Sequence, residues 1–297
     1  MKMGCLNMKH LGEVFRNFRK SRHLTQKSIV GKEVSVAQLS KFENGLSDIT
    51  LSKFYLLLER VGITSQEFEH VANNYEFNRL YSLLNKTFKL FNNNNRYGLL
   101  KLYENEKKRL IQMEDGSKLQ QELNILIIKS SLMAFDEEIS ITESEIGMLS
   151  DYLFSIEDWS YYELILYSTT MHVLSLELIN TLSKETLLRS SFYKSINKNR
   201  ELVIAVMINT IIVLTNNKIL DRAIYFKNEL EALLTETDIF DKILLLFVTG
   251  AIDFYNGKEE SGKQRMKDAI DIFNKVESYH LAETYGESYY IITGEKV

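Results

Sequence analysis

Apolar residues recur three and four positions apart along nearly the whole chain, and no alternating run of useful length interrupts them, so the pattern predicts helices throughout. Leu11, Val14, Phe15 and Phe18 predict a first helix over Leu11–Lys20. Thr25 is an N-cap residue for a short second helix, Gln26–Val30, in which Ile29 and Val30 point inward. Gly31 then supplies the backbone freedom that a helix end needs. Ser35 opens a third helix, its hydroxyl placed to accept from the N–H of Ala37 or Gln38. Leu39 and Phe42 face the core, Val36, Ala37, Gln38 and Lys41 face out, and Asn44-Gly45 stops the helix with residues that tolerate a left-handed backbone. Asp48 and Thr50 open a fourth helix with core positions Leu51, Phe54, Leu57, Leu58 and Val61. Gly62 ends it, and Thr64 with Glu67 sets a capping box for a fifth. Residues 1–70 thus read as a five-helix domain around a helix–turn–helix.

Residues 71–297 form a second domain of successive helical segments. Tyr75–Phe91 has a stripe at Phe77, Leu80, Tyr81, Leu84, Phe88 and Phe91. Tyr97–Met113, Leu119–Phe135 and Glu143–Phe154 follow. Trp159–Leu182 is apolar on more than one side and reads as one long sandwiched helix. Glu185–Ile196, Arg200–Leu214, Ile219–Leu234, Phe240–Tyr255 and Gly262–Val276 continue the array, and Tyr279–Ile292 closes it as a cap or as an element exchanged with a partner. Ala223 precedes Tyr225-Phe226, and about 46 residues later Ala269 precedes Phe273. A small residue lets antiparallel helices approach and the aromatic fills the gap to the next pair, the packing logic of tetratricopeptide repeats. A non-repeating bundle is the alternative. The fold class expected is all-α, a helix–turn–helix head followed by a tetratricopeptide-like helical repeat body.

Composition agrees with this picture. Among 297 residues there is no proline and only thirteen glycines, so little forces a helix to break. No apolar run approaches the ~20 residues needed to cross a bilayer, and the start, MKMGCLNMKH, lacks the apolar stretch of a leader. A cytoplasmic address without membrane association is expected. Cys5 reads as an exposed thiol in a frayed terminus. Residues 1–70 carry eleven Lys+Arg against seven Asp+Glu, and the remainder 25 against 33. A basic head on an acidic body suits a double-stranded DNA partner, because phosphate neutralisation supplies most non-specific affinity.

A helix in the major groove reads bases with its N-terminal residues. Here those are Ser35, Val36, Ala37 and Gln38, with Lys41 one turn on. Gln38 can pair with adenine, Lys41 can reach guanine or a phosphate, and Val36 or Ala37 can touch a thymine methyl. Gln26, at a helix N-terminus, suits a phosphate oxygen. Arg16, Arg19, Lys20 and Arg22 are either phosphate contacts or a solvated helix face.

Thr25-Gln26, the apolar spacing through Leu39, and S-K-F-E-N-G at 40–45 resemble the Xre/Cro-type helix–turn–helix. V-S-V-A-Q-L-S-K-F-E-N-G followed by S-D-I-T-L-S-K-F, together with W-S-Y-Y-E-L-I-L at 159–166, resembles the Rgg/GadR/MutR regulators of Gram-positive bacteria. This resemblance spans nearly the whole chain. It implies a homodimeric transcriptional regulator whose tetratricopeptide-like right-handed body binds a short signalling peptide on its concave face, as in peptide-pheromone quorum sensing. Such a face needs polar groups for the peptide backbone. Asn209, within the apolar run Val203–Leu214, is either a clamp for that backbone or bonded to a neighbouring helix. Ser168 and His172, four apart, would share one helix face. Tyr162 and Arg200 are further candidates.

Enzyme chemistry has little support in the sequence, and no cofactor or metal is expected. The five histidines are scattered, without zinc-ligand spacing, a glycine-rich phosphate loop or a nucleophile elbow. Asp136-Glu137-Glu138 reads as a solvated run. Two further readings stand beside the peptide-controlled regulator: a peptide-independent regulator whose body only dimerises, and a protein-interaction scaffold.

Overall fold

A computed structural model of the protein describes residues 8–72, 79–114, 118–136, 138–190 and 197–297. Cys5, Tyr75, Phe77, Glu137 and Ile196 lie outside the described residues. Sixteen α-helices and no strand occur among those described. The contacts divide the chain into two compact units, Met1–Asn92 and Asn93–Val297.

The first unit holds α1 (Met8–Ser21), α2 (Gln26–Ile29), α3 (Val36–Glu43), α4 (Leu51–Val61), α5 (Ser65–Ala72) and α6 (Arg79–Asn92). Its caps follow the local chemistry of the chain. Thr25 accepts from the N–H of Ser28, Ser35 from that of Gln38, and Thr64 and Glu67 exchange backbone bonds as a capping box. The left-handed residue after α3 is Gly45, with φ of 66°, while Asn44 keeps a negative φ. Gly45 N–H donates to Phe42 O and Leu46 N–H to Lys41 O, a Schellman closure. Gly31 departs from expectation. It is not among the residues with positive φ, and its lack of a side chain makes room for Arg60, whose Nη2 would lie 2.9 Å from an added Cβ. Phe15, Leu39, Phe42, Leu57, Leu58, Val61 and Phe68 form the core, with Phe54 set edge-on to Phe68 at 4.8 Å between ring centroids. Leu51 is 68% exposed and belongs to no core. It stands at the first position of α4, one turn before the buried stripe begins.

The second unit comprises α7 (Arg96–Ile111), α8 (Lys118–Leu132), α9 (Glu143–Ser155), α10 (Tyr161–Thr170), α11 (Leu176–Arg189), α12 (Asn197–Asn216), α13 (Leu220–Leu233), α14 (Ile239–Tyr255), α15 (Glu259–Lys275) and α16 (Tyr279–Thr293). Helix α10 packs on α8 and α12, and α12 on α14, while α11 and α13 pack on α12, and α15 on both α14 and α16. The body therefore stacks helices in two layers, as repeat packing requires. Ala223 and Phe226, and Ala269 and Phe273, are buried as the repeat pattern anticipates. Helices α14 and α15 approach each other backbone to backbone. A Cβ added to Gly250 would come 2.7 Å from Gly262 O, and one added to Gly262 would come 2.6 Å from Gly250 O.

Trp159–Leu182 is not one helix. It breaks at a 3-10 turn, Met171–Val173, and restarts at α11 with Ser175 as N-cap. The restart is local chemistry, since Ser175 Oγ accepts from the N–H of Leu178. Of the segment expected over Glu185–Ile196, Glu185 to Arg189 is the end of α11, and residues 191–196 lie outside the described residues. Among the described residues one stretch, Lys198–Asn216 in α12, is long and apolar enough to cross a membrane by length and composition. It is surrounded by α10, α11, α13 and α14, and 56% of it is buried in the fold, as expected of a core helix.

Candidate functional site

The third helix stands on a buried carboxylate. Glu43 follows Leu39 by four residues, so it falls on the inward face of α3, and it is 2% exposed. Arg19 on α1 clasps it with both arms, Nε at 2.6 Å and Nη2 at 2.7 Å, and also donates to Leu24 O at 2.6 Å. That hydrogen bond to Glu43 raises the guanidinium pKa above its ordinary value. Gln26 Nε2 donates to Glu43 Oε2 at 2.8 Å, and Arg16 donates to Glu43 O and to Asn44 Oδ1. One carboxylate thus ties α1, α2 and α3 together. Three hydrogen bonds reach its two oxygens, two of them from a guanidinium, which is what makes a buried charge tolerable.

Arg16, Arg19 and Gln26 are brought together by this hub, not by a common outward surface. Arg19 is buried, and Arg16 and Gln26 are partly exposed with Arg16 Nη2 and Gln26 Nε2 turned to the hub. On the opposite side of α3, Ser35, Val36, Ala37 and Lys41 are exposed in a row, and Val36 shows 43% of its surface. Gln38 is half-buried, its Oε1 accepting from Lys53 Nζ at 3.1 Å, which leaves its amide NH2 outward. Hydrogen-bond donors and methyl groups therefore share one helical face, exposed at Ser35, Val36, Ala37 and Lys41 and edged by Lys53 at Gln38. Such a face can meet base edges in a duplex groove.

Two devices hold that geometry. Arg60 of α4 bonds Ile29 O at 3.2 Å and Glu33 at 2.9 Å, bracing the turn between α2 and α3. A Cβ at Gly12 would lie 1.9 Å from Phe42 O, so α1 lies backbone-close against the end of α3.

In the body the candidates fall into different settings. Tyr162 is buried, its hydroxyl 3.1 Å from Asn124 Oδ1, and burial raises its pKa further above the phenol's ordinary value. Arg200 forms a two-armed ion pair with Asp238 and also reaches Leu233 O at 2.8 Å, tying the start of α12 to the entry of α14. The hydrogen bond from Arg200 holds the Asp238 carboxyl well below the usual carboxylate range. Ser168 and His172 do not share a helix face, because α10 ends at Thr170 and His172 lies in the 3-10 turn. His172 Nε2 sits 3.4 Å from Ser130 Oγ, which itself donates to Thr169 O. Asn209 is exposed, not buried in the apolar run that surrounds it in sequence. Its amide is open to a ligand.

The segment from Trp159 to Leu166 serves the fold. Trp159 is fully buried, its Nε1 donates to Leu153 O at 3.1 Å, and its ring meets Tyr167 edge-on. Glu163 is buried as well and accepts from Tyr152 Oη, Ser160 N and Ser160 Oγ at 2.7, 2.9 and 2.8 Å. A chain of hydroxyls, Tyr167–Ser183–Thr210, each step 2.7 Å, links α10, α11 and α12. Sequence reasoning missed this chain, and only the polar residues inside apolar runs signalled it. Among the described residues no group of His, Cys, Asp or Glu is arranged to hold a metal ion.

Residues 101–287 match the family described as HTH-type transcriptional regulator Rgg, C-terminal domain. The structure is similar to that of the SHP pheromone receptor Rgg2 from Streptococcus dysgalactiae, with TM-score 0.81 and 28% identity over 94% of this chain and 98% of that one. A protein from Listeria monocytogenes EGD-e shares the fold with TM-score 0.80 and 21% identity, over 95% and 97% of the two chains. PrgX in its complex with cCF10 does so with TM-score 0.71 and 18% identity, over 97% and 94%.

Proposed function

For a chain that belongs to the Rgg family of transcriptional regulators, we propose a homodimeric double-stranded DNA-binding protein controlled by a short signalling peptide. Residues 1–70 read the DNA, and residues 71–297 carry dimerisation and the peptide site. The observation that carries this reading is the outward row Ser35, Val36, Ala37, Gln38 and Lys41, mounted on a helix whose other face is locked by Glu43. Arg16, Arg19 and Gln26 act one step behind that row by setting the pitch of α3. The likeness to the pheromone receptor of Streptococcus dysgalactiae supports a peptide as the controlling ligand. Exposed Asn209 on α12 is its first anchor. Peptide binding shifts the population between arrangements of two heads that fit, or miss, half-sites one helical turn apart.

The test is a gel shift with DNA from upstream of the gene and its neighbours, with and without synthetic peptides encoded nearby. Retarded DNA whose affinity changes with one peptide supports the reading. Retardation indifferent to every peptide supports a body that only dimerises, and no retardation supports a scaffold. Lys41→Ala should weaken specific binding by ~1–3 kcal/mol if Lys41 touches a base. An unaltered base preference in that variant removes Lys41 from the readers.

A further inference from the structure

Gln38 carries a capping signal that its side chain does not use. Ser35 and Gln38 are spaced as Thr64 and Glu67, Thr142 and Glu145, and Ser160 and Glu163 are, an N-cap residue followed three positions later by Glu or Gln. In the three glutamate cases the carboxylate reaches back to the backbone N–H of its cap, at 2.7, 2.7 and 2.9 Å. At Ser35 only half of the box forms. Gln38 N–H donates to Ser35 Oγ at 3.2 Å, while the Gln38 side chain turns away from the cap to Lys53 of α4. A charged donor outbids a backbone N–H for a neutral amide oxygen.

Lys53 decides which end of that amide faces out. An ammonium has three donors and no acceptor, so the carboxamide can turn only its oxygen towards it. Lys53 Nζ lies 3.1 Å from Gln38 Oε1, and both residues are half-buried. The positions three and four away from Lys53, which are Ile49, Thr50, Leu56 and Leu57, carry no charge to draw the ammonium elsewhere. Two N–H donors of Gln38 are left outward, beside a cation that occupies the acceptor.

Base edges tell such a group from an unheld glutamine. Adenine offers the major groove an acceptor, N7, next to a donor, its N6 amino group. A glutamine reads that pair with its NH2 on one and its oxygen on the other. Guanine offers two acceptors, N7 and O6. With its oxygen held by Lys53, Gln38 can donate to adenine N7 but turns no oxygen to the amino group, whose positive edge the ammonium repels. Guanine accepts both N–H donors and is attracted by the same cation. The balance favours guanine.

We infer that Lys53 is a specificity-determining residue acting through Gln38: by holding the carboxamide oxygen it makes Gln38 a donor-only reader of guanine, in place of the adenine that an unheld glutamine selects. This rests on the reading of α3 as the base-contacting helix and adds which base Gln38 takes, and what makes it do so.

The experiment enriches a randomised duplex pool on full-length protein, wild type and Gln38→Ala, and sequences the bound DNA. One position should lose its base preference in Gln38→Ala, and in wild type that position should be guanine. Two duplexes that differ only there, G·C or A·T, are then compared by fluorescence anisotropy. Wild type should bind the guanine duplex about tenfold tighter, the usual scale of one paired base contact. Lys53→Met keeps the aliphatic stem and removes the ammonium, and in it that ratio should fall to parity or reverse. The ratio is taken within each variant, so a loss of folded protein or of a phosphate contact weakens both duplexes and leaves it unmoved. An unchanged ratio in Lys53→Met, any base but guanine at the Gln38 position of wild type, or no position lost in Gln38→Ala overturns the inference and leaves the DNA reading standing. No enrichment by wild type overturns both.

Discussion

The head and the body bring helices together by different means. In the head, α1 crosses α3 at Gly12, and the angle is set by directional bonds to Glu43 from three residues on two other helices. In the body, α14 and α15 meet at Gly250 and Gly262, backbone against backbone, and no ion pair among the described residues joins the two helices at that crossing. Arg265 and Asp253 do pair across α14 and α15, but on a part-exposed edge. Dispersion and close packing there are non-directional. At these two crossings the means differ: α3 is held by directional, charged bonds, and α15 is held against α14 by close packing.

That contrast can be broken most severely at Glu43. Glu43→Ala strands the buried Arg19 guanidinium and should destabilise the head by ~3–5 kcal/mol, seen as an early unfolding transition together with loss of DNA retardation. A head that stays folded would mean the hub is dispensable. Next comes Gly262→Val. Its added carbons meet Gly250 O and the backbone of Phe254, and neither can step aside. A loss of about 3 kcal/mol is expected, near the top of the range for overpacking, measured as a lower denaturant midpoint. A near-neutral result would show that α15 can slide.

A smaller effect separates ionic from shape-based contacts by pH. Asp238 has its folded pKa depressed by Arg200, so the stability it contributes is fully present above the ordinary carboxylate value of ~3.9 and is lost as pH falls through the folded value. The gap in melting temperature between wild type and Asp238→Asn should be constant from neutral pH down to about 5 and close progressively below about 4. A gap that is already closing near neutrality would contradict the pairing. The smallest effect is a gain. A Cβ at Gly147, inside α9, meets nothing within 4 Å. Gly147→Ala should therefore add about 0.5–1 kcal/mol in chemical denaturation.

Much of the head was readable before any coordinates. Thr25, Ser35 and Thr64 cap as their types and positions predict, because a cap is satisfied within four residues of itself. Leu39 and Phe42 face inward for the same local reason. Glu43 could have been found too, since it completes their spacing, but a carboxylate at a helix end reads as solvated until Arg19 is seen beside it. In the body, the break after Thr170 had a legible restart at Ser175 and no legible stop, there being neither glycine nor proline.

The phase of α12 escaped altogether. Its apolar residues run nearly all the way round, so periodicity could not say that Asn209 faces out and Thr210 faces Ser183. The chain by itself determined that this protein is helical, where most of its helices begin, and which face of α3 turns outward. Those properties depend on groups a few residues apart. Only tertiary structure decided which charges are consumed by Glu43, where glycine lets two backbones touch, and that Lys53 holds the Gln38 side-chain oxygen. Each depends on residues brought together from distant parts of the chain, and no local spacing encodes that meeting.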